Sequence, residues 1–139
     1  MSLRDNILFG KEMNHALYHR VLDKCGLEPD LKLIPGGDLT ELGENGINLS
    51  GGQKQRLSLA RAVYEDADTY LLDDPLAALD SHVSKSVFME VIGEQGLLRR
   101  KTRILVTNNM SVMAHMDRII VIRDGVIDEI GTFQDLVER

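Results

Sequence analysis

Two short stretches hold the residues best suited to chemistry. The first is Ser50-Gly51-Gly52-Gln53, which opens a segment whose apolar spacing reads as a helix. Glycine in a helix is worse than alanine by about 1 kcal/mol, so helix formation does not ask for Gly51 or Gly52. A capping box explains the flanks, since Ser50 can cap the first turn while Gln53 reaches back to it, but it leaves the glycines unexplained. Phosphate binding explains them: a helix N-terminus presents unpaired N–H groups and positive dipole, and glycine lets an anion reach the bare backbone. The second stretch is Asp73-Asp74, at the end of the apolar run Tyr70-Leu71-Leu72. One carboxylate there can hold Mg²⁺ and its neighbour can orient or activate a water. Asp74-Pro75 is equally suited to beginning a turn.

The elements that position these residues follow from periodicity and punctuation. "SLRDNILFG" and "NHALYHRVLDKCG" predict a short helix and a longer one ended by Gly26. "EPDLKLIPGGDLTELGENG" is rich in proline and glycine and predicts loop. After the helix that starts at Ser50, "DTYLLDD" and "RILVTNN" predict buried strands. Between them Leu79, Val83, Val87 and Val91 recur at fourth positions, the mark of an amphipathic helix. "RIIVIRDGVIDEIG" predicts a hairpin turning at Asp124-Gly125, and "TFQDLVER" a last helix with Thr132 and Asp135 as its capping box. Alternating strands and helices predict an α/β core.

Composition bounds the function. The chain has 139 residues, 43% apolar and 27% charged, which suits one soluble globular domain. Its 22 acidic against 16 basic residues give a net charge of −6, which argues against a broad electrostatic grip on nucleic acid. A lone Cys25 excludes an internal disulfide and suits a reducing compartment. The longest aliphatic run, Ile119-Ile120-Val121-Ile122, is too short to cross a bilayer.

The order Leu49-Ser50-Gly51-Gly52-Gln53, "RLSLARAV", "YLLDD" and Ala78-Leu79-Asp80 resembles the ATPase domain of an ABC transporter. The flanking text "SLRDNILFG", "GDLTELGENGINLSGGQKQRLSLARAVY" and "KTRILVT" is most similar to the first nucleotide-binding domain of the C subfamily, the multidrug-resistance-associated proteins, through nearly the whole chain. The resemblance implies an α/β fold, part of a P-loop NTPase (RecA-like) core with a helical signature subdomain. Residues 1 to about 67 would be that subdomain, and about 68–139 the C-terminal part of the core. No G-x-x-x-x-G-K-[ST] phosphate loop is present: Gly52 stands where the lysine should follow Gly46 and Gly51, and Gly10-Lys11 runs on into Glu12. By the resemblance that loop, with an adenine-stacking aromatic and a glutamine loop, would precede Met1.

In the family two such domains pack head to tail, and the signature of one closes over the ATP of the other. The resemblance therefore assigns Leu49, Ser50, Gly51, Gly52, Gln53 and Asp80 to ATP in the partner domain's site, Asp73 to Mg²⁺, and Asp74 and Asn108 to catalysis at the chain's own half-site. Both catalytic positions depart from the hydrolytic pattern. Asp74 replaces glutamate and falls short by roughly 1.5 Å, enough to misplace a general base. Asn108 replaces a switch histidine and cannot carry charge. The implied protein is an ATP-hydrolysing exporter of organic anions or conjugates at the cytosolic face of a membrane. Its partners are a second nucleotide-binding domain and transmembrane domains, not nucleic acid, and this stretch alone is expected to be inactive. The alternatives are a non-hydrolytic regulatory module of a channel or channel regulator, and an ABC ATPase of DNA repair. His15, His19, His82 and His115 read as solvated or packed, Arg56 and Arg61 as structural contacts, and Met110, Met113 and Met116 as filler.

Overall fold

The computed structural model describes residues 1–44 and 46–138. Asn45, in the predicted loop, and Arg139, at the end of the last predicted helix, lie outside them. The chain divides into two compact units, Met1–Val106 and Thr107–Arg139.

The first unit begins with three helices, α1 (Leu3–Leu8), α2 (His15–Lys24) and α3 (Glu28–Leu33). Ser2 and Asn14 cap the first two through their side-chain oxygens. Gly26 follows α2 at φ +72°, the left-handed conformation that stops a helix. α3 corrects the expectation of loop: Pro29, Glu28 and Asp30 in the first turn and Lys32 in the last turn all favour a short helix. A single turn of 3₁₀ helix, Gly37–Leu39, follows.

α4 (Gly51–Tyr64) is the longest helix, and it buries Leu57, Leu59, Ala60, Val63 and Tyr64. Its Arg61 side chain donates to Asn6 of α1, at 2.7 Å to the backbone oxygen and 2.9 Å to Oδ1, and lies over the Phe9 ring. A second polar tie joins α1, α2 and the 3₁₀ turn. Asp38 Oδ2 accepts from Arg4 Nε at 2.9 Å and from the Tyr18 hydroxyl at 2.6 Å. Burial pushes the Asp38 carboxyl up, but the Tyr18 and Arg4 hydrogen bonds outweigh it and hold Asp38 below the usual carboxylate range. Burial likewise raises the Tyr18 hydroxyl.

Strands β1 (Thr69–Asp73) and β2 (Thr102–Val106) pair in parallel, with Asp73 opposite Val106. The expectation of fully buried strands is corrected here. In β1 only Tyr70 and Leu72 are buried, and Leu71 is 76% exposed; Ile104 and Val106 of β2 also face out. The apolar runs suit cover on both faces, whereas the described chain packs one.

The predicted helix through Leu79 and Val91 is also divided. Asp80 caps α5 (Ser81–Val87), and the helix then widens into a π turn, Phe88–Ile92. Leu79 lies ahead of the cap. Val87, Phe88 and Val91 join Ile7, Val21, Leu22 and Cys25 among the buried apolar residues. Burial pushes the Cys25 thiol up to about 12, which makes it an inert core residue.

In the second unit, β3 (Ile119–Arg123) and β4 (Val126–Gly131) form the expected antiparallel hairpin. Asp124 and Gly125 both have positive φ, as a two-residue hairpin turn of this hand requires. α6 (Phe133–Val137) carries the expected capping box between Thr132 and Asp135. No helix among the described residues is long and apolar enough to cross a membrane.

Candidate functional site

The turn at the head of α4 is closed by its own side chains. Ser50 Oγ accepts the Gln53 N–H at 3.1 Å, and Gln53 Oε1 accepts the Ser50 N–H at 2.9 Å, so the predicted capping box forms in full. The other end of the Gln53 amide donates to Asp30 Oδ1 at 2.9 Å. Arg56 in turn pairs with Asp30 Oδ2 and donates to the Gly26 carbonyl, at 2.7 and 2.6 Å. Sequence reasoning missed Asp30, because it lies in a segment read as loop and its partners on α4 are more than twenty residues away. Leu49 is half-buried beside the turn, and Ser50 is exposed.

The structure separates the two glycines that sequence reasoning treated together. A Cβ on Gly52 would stand 3.2 Å from Leu79 Cδ2 and 3.3 Å from the Ala78 carbonyl oxygen. Gly52 is thus explained inside the chain, by the close approach of the segment after β1. A Cβ on Gly51 would meet nothing nearer than Ala78 Cβ at 3.8 Å, an ordinary contact. Gly51 is exposed and its φ is not positive. Neither backbone conformation nor packing asks for glycine at this position.

Asp73 ends β1 with its side chain exposed. Asp74 adopts φ +47°, uncommon for a non-glycine residue, and its N–H donates to the Val106 carbonyl at 2.7 Å. That bond extends the parallel ladder by one step, and the positive φ takes the chain off the strand end. Neither carboxylate has a hydrogen-bond or ion-pair partner among the described residues. Among the described residues no cluster of three or more His, Cys, Asp or Glu side chains forms that could hold a metal alone. Mg²⁺ does not need one, since it is commonly held by one or two carboxylates, water and substrate phosphates. An open Asp73 carboxylate at a strand end fits that donor set.

The segment after Asp74 folds back over the head of α4. Gln55 spans the two: its Nε2 donates to the Asp74 carbonyl at 3.2 Å and its Oε1 accepts the Ala78 N–H at 2.7 Å. Sequence reasoning missed Gln55 as well. Asp80 closes the segment by capping α5, its Oδ1 accepting the Val83 N–H at 2.9 Å. The structure thus brings the serine–glycine turn, the backbone of Asp74 and residues 77–80 into one place.

Asn108 is exposed and belongs to the second unit. The local capping work there falls to its neighbour: Asn109 Oδ1 accepts the Ser111 N–H at 3.0 Å and heads the 3₁₀ helix Met110–His115. All four histidines are exposed on helical turns.

Comparison with known proteins matches residues 3–77 to the ABC transporter family. The chain is 54% identical over 138 residues to ATP-binding cassette sub-family C member 2 of Rattus norvegicus and 55% identical over 138 residues to sub-family C member 3 of Homo sapiens. It is 55% identical over 139 residues to multidrug resistance protein mrp-7 of Caenorhabditis elegans. These alignments cover 99%, 99% and 100% of this chain, and the chain spans 9% of the length of each relative.

Proposed function

Since the chain belongs to the ABC transporter family and has the sub-family C type of ATP-binding domain, we propose that its serine–glycine turn binds the phosphates of an ATP held mainly by a second, partner nucleotide-binding domain. The observation that carries this reading is Gly51: exposed, with no positive φ and with room for a Cβ, and yet glycine. A ligand approaching the first-turn N–H groups of α4 supplies the missing reason. Ser50 keeps its hydroxyl proton available for the same anion, because its oxygen acts as the acceptor in the capping box. Gln53 is held by Asp30 and keeps the turn rigid.

The chain's own half-site is assigned to Asp73 and Asp74, and Asn108 stands at the switch position in the order of the sequence. Asp73 is the Mg²⁺ ligand; the metal, when bound, would neutralise charge developing on the phosphates. Asp74 has a short carboxyl on a turned backbone, and Asn108 cannot take a proton at neutral pH. Chemistry at this half-site is therefore weak, and the partner's ATP, served by the intact turn, carries most of the turnover. In the whole protein this activity drives export of organic anions or conjugates across a membrane whose cytosolic face the domain occupies, with transmembrane domains as its other partners. The two weakened positions favour one second reading, a regulatory module of a channel or channel regulator that binds ATP without hydrolysing it at this half-site.

The test is phosphate release by the reconstituted full-length protein. Gly51→Asp sets a carboxylate against the bound phosphate in a partly dehydrated site, and should lower turnover by more than about a hundredfold. Turnover near wild type in that variant overturns the assignment of the turn.

A further inference from the structure

Gln55 occupies a place that the functional reading does not use. It lies on the second turn of α4, half-buried, with its amide plane between the helix and the segment after β1. Its two polar ends are both engaged, one by the Asp74 carbonyl at 3.2 Å and the other by the Ala78 N–H at 2.7 Å. These partners are four residues apart on one loop, so a single rigid amide staples both ends of the segment that turns off the acidic strand. The same segment leans on Gly52, where a Cβ would crowd the Ala78 carbonyl oxygen at 3.3 Å. Asp74 is held from its other side by Val106 at 2.7 Å. Donor, acceptor and close approach all act between the same two elements.

We propose that Gln55 is a positioning residue that locks the segment from Asp74 to Ala78 onto the head of α4, so that the turn serving the partner's ATP and the acidic strand end serving the chain's own ATP move as one body. This rests on the assignment of those two half-sites above. Only an amide of this length fills both roles. Asparagine is shorter by one methylene, and alanine leaves the Asp74 carbonyl without this donor and the Ala78 N–H without its acceptor. Glutamate keeps the acceptor for Ala78 and loses the donor to Asp74. Gln55 touches no nucleotide in this scheme, so its loss should spare ATP binding and disturb the step that needs both half-sites aligned.

The experiment uses the full-length protein with Mg-ATP and compares wild type, Gln55→Ala, Gln55→Glu and Gly51→Asp. Gln55→Ala should lower kcat about fivefold, the cost of one to two hydrogen bonds, with KM unchanged. Amide exchange in residues 74–80 should rise by a similar factor, while exchange in the later turns of α4 stays at wild type. Gln55→Glu should restore protection at Ala78 and recover part of kcat. Unchanged exchange in 74–80 overturns the proposal, as does a raised KM with kcat intact. A uniform rise in exchange in both Gln55 variants also overturns it, because that would make Gln55 a general stabiliser. If instead Gly51→Asp keeps wild-type turnover, the half-site assignment has failed. The exchange result still decides whether the Gln55 staple exists.

Discussion

The helical stretch of residues 1–64 and the strand pair β1–β2 meet at the candidate site, and they are finished to different degrees. The helical stretch closes on itself: α1, α2 and α4 bury a shared apolar core, their ends are capped, and Asp38, Asp30 and Arg61 tie them across 20 to 55 residues of sequence. The strand pair carries Asp73 and Asp74 at its C-terminal end but leaves Leu71, Ile104 and Val106 more than half exposed. One element holds its candidate turn by internal contacts. The other holds its acids on an apolar ribbon that still has a face to cover. The difference teaches where robustness resides, since substitutions under the turn should act through folding, while those at the strand end should act through the ligand alone.

The largest effect in this comparison is expected at the foundation of the helical stretch. Asp38→Asn removes the charge that Arg4 and Tyr18 both address, and should destabilise the chain by about 1–3 kcal/mol in denaturant titration. The pH dependence follows from the depressed Asp38 carboxyl. A group held below its unfolded pKa of about 4 contributes stability above that pH, and the contribution is lost as pH falls through the folded value. The variant should lack this acid-side slope. If it keeps the wild-type slope, the network is not what joins these helices.

A smaller pair of effects would sharpen the contrast within the turn. Gly51→Ala meets only ordinary contact and should stabilise the fold by up to about 1 kcal/mol, while turnover falls. Gly52→Ala must displace the Ala78 carbonyl oxygen and Leu79, and should destabilise by about 1 kcal/mol despite the same gain in helix propensity. Thermal unfolding of the two variants, compared side by side, reads the difference. Equal shifts of the same sign would mean that the glycines have one common reason.

The smallest effect is expected at the strand end. Asp74→Asn keeps the side-chain length and should change steady-state phosphate release by less than tenfold, or about 1.4 kcal/mol, because little chemistry is assigned there. Loss of turnover in this variant would reverse the ranking of the two half-sites. Unfolding should be unaffected, as the Asp74 carboxylate has no partner among the described residues.

What could be read from the chain itself was whatever depends on neighbours within about four residues. The two capping boxes at Ser50 and Thr132, the stop at Gly26, the Asp124-Gly125 turn and the helix periodicity of α4 are all short-range devices, and all formed as expected. The family resemblance was legible for the same reason, since the matched residues 3–77 include the contiguous run Leu49–Gln53. Tertiary structure decided the rest. α3 emerged from a stretch whose prolines and glycines read as loop, and its Asp30 became the anchor of Gln53 and Arg56 only through contacts 23 and 26 residues away. An apolar run specifies a strand without saying how many of its faces will be covered, so the exposure of Leu71 and Ile104 could not be inferred from pattern. The reasons for the glycines likewise separated only when Ala78 and Leu79 were seen against α4. A missing Cβ looks the same in sequence whether it makes room for the chain's own backbone or for a ligand, because the distinction lies entirely in what approaches it through space.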